Sequence, residues 1–135
     1  MLEEPQRKRL RTESVGDAHA LVERATALFA AGRTAECQAL FERARASDER
    51  CVEAHYGLGL LALARGELAP AREAFERVVD LDSRHANALY HLGLIAEAGN
   101  QREPASRLYH RALGIDPGHR QAQRPLDTLG GRSRG

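Results

Sequence analysis

The sequence lacks the features that are typical of secreted, membrane-spanning and disulfide-stabilised proteins. It has two cysteines, Cys37 and Cys51, with no C-x-x-C motif and no set of spaced pairs that would indicate a disulfide framework. No run of residues approaches the roughly eighteen apolar residues that a membrane-spanning helix needs, and residues 1–17 contain no apolar core typical of a secretory signal. These absences favour a soluble protein of the cytoplasm, where thiols stay reduced.

Residue patterns that carry catalysis or bind metals are also absent. The six histidines include no H-x3-H or H-E-x-x-H pair of metal ligands. No Gly-rich phosphate loop or constellation of paired carboxylates stands out, and no nucleophile has a base evidently placed beside it. We therefore expect no catalytic residue, no cofactor-binding residue and no metal ligand, and we predict that the protein is not an enzyme.

The charge is nearly balanced but unevenly distributed. The net charge of +1 argues against bulk electrostatic binding of nucleic acid. The segment 18–119 has 12 arginines against 14 aspartates and glutamates, whereas residues 120–135 have four arginines and one aspartate. The body of the protein is therefore not expected to bind nucleic acid, and the basic surplus lies at the end of the chain.

Residues 1–17 are polar and have no periodicity, so we predict a flexible basic arm. The arm contains a basic cluster made by Arg7, Lys8, Arg9 and Arg11. Such a cluster can lie along an acidic receptor groove as a nuclear-import signal. The alternative is a solvated arm with no specific partner, and the sequence leaves both interpretations open.

A period of 34 residues runs without a gap from Ala18 to His119. A fixed period of about 20–50 residues indicates an array of stacked structural units. It divides the chain into repeats 18–51, 52–85 and 86–119. The equivalent positions include Cys37, Ala71 and Ala105, then Phe41, Phe75 and Tyr109, and finally Asp48, Asp82 and Asp116.

Each repeat predicts two helices joined by a tight turn. In the second repeat, His55, Leu58, Gly59 and Ala62 follow i, i+3, i+4 and i+7 and form one face of a first helix. Gly66 is expected to end that helix with positive φ, Pro70 falls in the first turn of the second helix, and the Asp-Ser pair at 82–83 can cap the next helix. The turn column consists of Gly32, Gly66 and Asn100.

Residues 120–135 begin like a fourth repeat, but Pro125 falls in the second turn of its first helix. Proline at that place removes a backbone hydrogen bond and crowds the preceding turn. We therefore predict a partial capping segment, in which Leu126 and Leu129 cover part of the last repeat, followed by a disordered basic tail.

The repeated columns resemble those of the tetratricopeptide repeat (TPR) family, whose unit of about 34 residues carries W-x2-L-G-x2-Y, then A-x3-F, then P. The matching stretches are Leu58-Gly59-x2-Ala62, Leu92-Gly93-x2-Ala96, Ala71-x3-Phe75, Ala105-x3-Tyr109 and Asp116-Pro117. The first-position Trp is absent, and Ala replaces Tyr. The resemblance implies an all-α solenoid of three helix–turn–helix repeats in a right-handed superhelix, acting as a protein-protein interaction module, adaptor or scaffold.

A second apolar stripe runs along the first helices, roughly 100° around from the core stripe. In TPR proteins the first helices line a concave side, so the resemblance implies a groove for a peptide or an amphipathic segment of another protein. Three alternatives remain: packing between neighbouring first helices, cover by the C-terminal tail, and self-association of a homo-oligomer. The stripe consists of Val22, Thr26, Phe29, Tyr56, Leu60, Leu63, Tyr90, Leu94 and Glu97.

One TPR subclass grips the acidic C-terminal tails of chaperones with Lys, Asn and Arg at fixed columns. None of its residue types is matched here, so we do not expect acidic chaperone tails as partners. The corresponding columns hold Val22, Thr26, Gly57, Asn87 and His91. Neither a membrane partner nor a chemical step is expected, and a nuclear adaptor using the basic cluster is the alternative to a cytoplasmic one.

Overall fold

The chain is all-α over the residues that the structure describes, 15–126 of a computed structural model. Six helices follow one another, and a shorter helical segment, α7, occupies residues 120–126. Residues 15–126 contain no strand. The six are α1 Val15–Ala30, α2 Thr34–Ser47, α3 Val52–Ala64, α4 Leu68–Leu81, α5 Ala86–Ala98 and α6 Arg102–Ile115. The fold class and the order of paired helices are confirmed. The basic cluster Arg7, Lys8, Arg9 and Arg11 lies outside the described residues, as does Leu129.

The chain forms two compact units, Met1–Gly66 with α1 to α3 and Glu67–Gly135 with α4 to α7. We call them the N-terminal unit and the C-terminal unit. The second predicted repeat, 52–85, is divided between them. Because α1 begins at Val15, the last three residues of the predicted arm are helical; the repeat boundaries themselves stay predictions.

The predicted turn column adopts the left-handed backbone conformation. The φ angles are 77° at Gly32, 75° at Gly66 and 60° at Asn100. Glycine adopts positive φ without a steric penalty, and Asn is among the side chains that best tolerate it. The expectation for Gly66 is confirmed, and each of the three residues lies two positions after the last residue of a first helix.

In the N-terminal unit, α1 packs on α2, and α2 packs on α3. The core between them contains Cys37 and Ala44, which are fully buried, and Phe41, which is 4% exposed. Burial raises the pKa of the Cys37 thiol, so this side chain remains protonated and behaves as a small apolar residue. Cys37 therefore serves packing, as its column predicts.

In the C-terminal unit, α5 packs on α6 around the fully buried ring of Tyr109. The approach depends on Gly93 of α5, because a Cβ atom there would overlap the Tyr109 ring. The small residues Ala105 and Ala112 flank Tyr109 on α6 and are also fully buried. Small residues therefore surround the large aromatic ring, and together they fill the space between α5 and α6.

Replacing Gly93 with alanine should lower the free energy of unfolding by about 1–3 kcal/mol, because the buried Tyr109 ring must move to accommodate the methyl group. Urea denaturation followed by circular dichroism measures the change. Gly114→Ala is the matched control: Gly114 lies in α6 with open space around its Cβ position, so alanine there should stabilise the helix slightly. Equal stability of the two variants would contradict the packing described.

Histidine side chains cap two helices of the C-terminal unit. The Nδ1 atom of His85 accepts a hydrogen bond from the N–H of Ala88 at 3.1 Å, and Nδ1 of His119 accepts from the N–H of Ala122 at 3.1 Å. Each bond satisfies one of the free N–H groups at the start of a helix. Since Nδ1 accepts, the ring proton of each capping histidine lies on Nε2.

The predicted cap at 82–83 is wrong, because His85 occupies the N-cap position of α5. Asp82 instead accepts the N–H of Arg84 at 3.1 Å inside the turn. The other two aspartates of the column accept in the same way, from Arg50 and Gly118. The repeated aspartate therefore stabilises the turn between helices and leaves the helix N-terminus to the residue that follows the turn.

Candidate functional site

A cavity of about 240 Å³ opens in the N-terminal unit between α1 and α3. Its lining is mainly apolar and includes five of the nine residues of the predicted stripe. These five are Val22, Thr26, Phe29, Tyr56 and Leu60. The structure thus brings most of the stripe's N-terminal portion to one concave surface. Leu63 of the stripe is half-buried in α3 and does not line the cavity.

Helical spacing explains how α1 and α3 supply this lining. Val22, Thr26 and Phe29 are four and three residues apart on α1, and Tyr56 and Leu60 are four apart on α3, so each set shares one helix face. The hydroxyl of Thr26 donates to the carbonyl oxygen of Val22 at 2.8 Å. This bond satisfies the hydroxyl, so the wall at Thr26 presents little polarity to a bound side chain.

The inner wall of the cavity depends on Gly57, which sequence reasoning did not assign to the groove. A Cβ atom at Gly57 would overlap the ring of Phe41 on α2. Without it, the Phe41 ring reaches between the first helices and becomes part of the lining. Phe41 is a core residue, as predicted, and also a lining residue of the cavity. Of its surface, 4% remains exposed. The sequence signal for this contact was Gly57 itself, because a glycine in a helix leaves room for an aromatic ring of a neighbouring helix.

One charged side chain, Glu53, lines the cavity. Glu53 is exposed, and its Oε2 atom lies 3.7 Å from the Cys51 thiol, which donates to it. Burial raises the pKa of Tyr56, so its phenol is neutral at physiological pH. The lining therefore combines an apolar surface with a single negative charge at the rim.

The stripe continues in the C-terminal unit with Tyr90, Leu94 and Glu97, but here its surroundings differ. The Tyr90 ring lies 5.3 Å from the ring of His119, the residue that caps α7. Leu94 packs against the core of this unit. Glu97 accepts a hydrogen bond from the hydroxyl of Tyr109 at 3.0 Å, and burial followed by this bond raises the pKa of Tyr109.

α7 lies beside this part of the stripe. Tyr90 and Glu97 line a cleft of about 400 Å³ whose other residues, Gln121, Arg124 and Pro125, belong to α7. Ala122 is fully buried in the core of the unit, and Leu126 packs against it. Helical structure therefore extends through Pro125, and the capping segment itself stays a prediction.

The residues of the chaperone-clamp columns serve other contacts. The ring of His91 stacks on Phe75 with 5.0 Å between ring centroids, and Asn87 accepts a hydrogen bond from His119 at 2.7 Å. Val22, Thr26 and Gly57 line the apolar cavity of the N-terminal unit. The side chains at these columns do not form a basic cradle.

A larger cavity, of about 480 Å³, lies in the C-terminal unit among α4, α5 and α6. It contains no residue of the predicted stripe. Its walls include Leu68, which is 39% exposed, and the pair Arg72 and Glu76, separated by 3.7 Å. Arg72 and Glu76 carry opposite charges, so the side chains of α4 that line this cavity have no net charge.

Among residues 15–126, no group of His, Cys, Asp or Glu side chains is arranged to hold a metal ion. None of the helices in that range is both long and apolar enough to cross a bilayer.

Comparison with known proteins identifies the repeats. A model of the tetratricopeptide repeat family matches residues 22–83 and, in an overlapping match, residues 69–120. The two matches together cover more than half of the chain. No curated protein matches the sequence.

Several solved structures share the fold. The first TPR domain of Spaghetti (RPAP3), bound to the HSP90 peptide SRMEEVD, is 18% identical with a TM-score of 0.82, covering 90% of this chain and 97% of that one. The Yersinia enterocolitica type III secretion chaperone SycD, in complex with a peptide of the translocator YopD, is 13% identical with a TM-score of 0.80, covering 89% and 97%. The Thermobaculum terrenum O-GlcNAc transferase is 27% identical with a TM-score of 0.77, covering 83% of this chain but 22% of the enzyme.

Proposed function

The chain belongs to the tetratricopeptide repeat family, and from this premise we propose that it is a protein-interaction module whose N-terminal cavity binds an apolar side chain of a partner. The partner segment is a peptide or an amphipathic helix of another protein. Binding uses a surface that already exists in the folded chain and needs no chemical step. We further propose that it acts as an adaptor or scaffold in the cytoplasm.

The size and lining of the cavity carry the proposal. Its volume of about 240 Å³ is below the roughly 300–1,000 Å³ of pockets that enclose drug-sized ligands. A cavity of this size suits one large side chain, inserted from a segment that continues along the surface. Tyr56 and Phe29 are aromatic walls of the kind that dominate binding energy at protein interfaces.

The single charge at the cavity selects among partner segments. The RPAP3 domain binds a peptide that ends in two glutamates, a valine and an aspartate. Among residues 15–126, Glu53 is the only charged residue that lines this cavity, and no Arg or Lys of that range does so. A carboxylate next to the inserted side chain would be repelled by Glu53, so we propose partner segments that are neutral or basic around their apolar anchor.

Peptides selected for binding to the full chain from a random dodecamer library provide the test. We expect the enriched peptides to share one large apolar residue without neighbouring acidic residues. Tyr56→Ala should weaken the binding of a selected, fluorescein-labelled peptide about thirtyfold, as loss of a central aromatic contact does. Fluorescence anisotropy measures the affinity.

Leu68→Ala is the matched control, since Leu68 is an exposed apolar residue in the cavity of the other unit. It should leave the affinity unchanged. Selection of acidic peptides, or equal affinity for the Tyr56→Ala and Leu68→Ala variants, would refute the proposed site. Circular dichroism confirms that both variants keep their helices.

A further inference from the structure

We propose that α7 is a resident occupant of a second interaction surface, and that an amphipathic helix of a partner binds the C-terminal unit by taking its place. The surface, which we call the Tyr90 face, consists of Tyr90 and Glu97 on α5. The inference rests on the proposed function and extends it to the unit in which α7 lies beside the stripe.

Contacts of His119, Ala122 and Leu126 help to hold α7 in place. His119 links it to α5, because its Nε2 atom donates to Oδ1 of Asn87 at 2.7 Å while its Nδ1 atom accepts the N–H of Ala122 at 3.1 Å. The His119 ring also lies 5.3 Å from Tyr90. Ala122 is fully buried, and Leu126 packs against the same core. One capping histidine and two apolar side chains therefore contribute to the attachment of α7.

The described helix is poorly suited to stay bound on its own. It contains a proline within residues 120–126, and a proline inside a helix weakens it. Pro125 has no N–H, so the carbonyl of Gln121 receives no helical hydrogen bond from it. We therefore expect that weakening the contacts at His119 or Ala122 releases the segment.

The fit between α7 and the Tyr90 face is also incomplete. A cleft of about 400 Å³ remains between them, lined on the α7 side by Gln121, Arg124 and Pro125. A partner helix that carries a larger apolar residue in place of Gln121, and no proline, would bury more of Tyr90 than α7 does. Filling unoccupied space beside an aromatic ring adds apolar contact and binding energy.

The charges on the two sides of the cleft indicate which charged residue the partner helix should carry. Glu97 is a carboxylate on the Tyr90 face, and Arg124 of α7 lies across the cleft from it. The pKa of Tyr90 is raised by burial and then by Glu97, and is lowered by Arg124, so both charges act on the same ring. We therefore infer a helix with small and apolar residues four positions apart, as in Ala122 and Leu126, and a basic residue facing Glu97.

A labelled peptide with the sequence of residues 117–128, carrying Gln121→Leu and Pro125→Ala, serves as the partner helix. It should bind the full chain, and Tyr90→Ala in the chain should abolish binding. His119→Ala in the chain should tighten binding about fivefold, because loss of the capping bond loosens the resident helix. Arg120→Ala, at an exposed position of α7, is the control and should behave as the unchanged chain.

Ala122→Glu is a second way to release α7, because it places a carboxylate at a fully buried position without altering the cap. This variant should also bind the peptide more tightly. Failure of both the His119→Ala and the Ala122→Glu chains to bind the peptide more tightly than the Arg120→Ala chain overturns the proposal, as does amide exchange showing that α7 opens only together with α6. Tyr56→Ala leaves this assay unaffected, so failure of the N-terminal cavity as a binding site would be seen separately.

Discussion

Phe75→Ala is expected to lower the free energy of unfolding by about 3–5 kcal/mol, the range of large-to-small substitutions in a packed core. Phe75 lies on α4 and has no exposed surface. Its ring stacks on His91 with 5.0 Å between centroids and 17° between planes. Alanine would remove this contact and leave a cavity that the surrounding helices cannot fully close.

Chemical denaturation followed by circular dichroism at 222 nm, a wavelength that reports helix content, measures this loss. Domains are typically stable by about 5–15 kcal/mol, so the variant should unfold at a much lower urea concentration. Glu73→Ala is the matched control, on the same helix but exposed. A midpoint for Phe75→Ala that coincides with that of Glu73→Ala would show that the aromatic column is not part of the core.

The repeat made the burial of this column predictable. Phe41, Phe75 and Tyr109 occupy one position of the period, and all three are buried. The same argument holds for the turn column, where positive φ occurs at each predicted place. A period that is kept over three copies makes the structural role of each position easier to predict, because each copy must satisfy the same packing and turn geometry.

Helix capping was harder to predict from the sequence. An Asp-Ser pair before a helix is a common cap signal, yet the backbone of the turn places Asp82 against the N–H of Arg84 and brings His85 to the N-cap. Which of several polar residues caps a helix depends on the backbone angles of the turn. The signal lay in His85 and His119, which are 34 residues apart, since a histidine whose Nδ1 carries no proton can accept a backbone N–H.

The candidate site was predicted in part. Helical spacing identified Val22, Thr26 and Phe29 as sharing one face, and these residues line the cavity. Spacing along single helices could not show that Phe41 reaches the cavity past Gly57, because this depends on how closely two helices approach. Contacts between elements decide which parts of an apolar stripe stay open.

The same limit applies to the C-terminal unit. Pro125 argues locally against a continuing helix, but burial of Ala122 and packing of Leu126 compensate for one lost backbone hydrogen bond. The helix propensity of a single residue is a weak guide to structure when tertiary contacts oppose it. The stripe residues Tyr90 and Glu97 consequently lie beside a helix of the same chain.

Acidification should destabilise the fold through His91. Burial, followed by the positive charges that His119 and His85 acquire, lowers the pKa of His91 from 6.5 to about 4. In the unfolded chain the imidazole takes up its proton near pH 6.5, whereas in the folded chain it stays neutral until about pH 4. The unfolded state therefore binds more protons in this window, and stability is lost as the pH falls from 6.5 towards 4, by up to about 3 kcal/mol.

His91→Gln isolates this contribution, because glutamine is polar and of similar size but does not titrate. The free energies of unfolding of the two chains, measured by urea denaturation at pH 7.5 and at pH 4.5, give the difference directly. The two chains differ only at residue 91, so the difference between their pH dependences reports on that side chain. We expect the unsubstituted chain to lose more stability than the variant on acidification. An equal loss in both would show that the ring stacked on Phe75 accepts a proton as readily when folded as when unfolded.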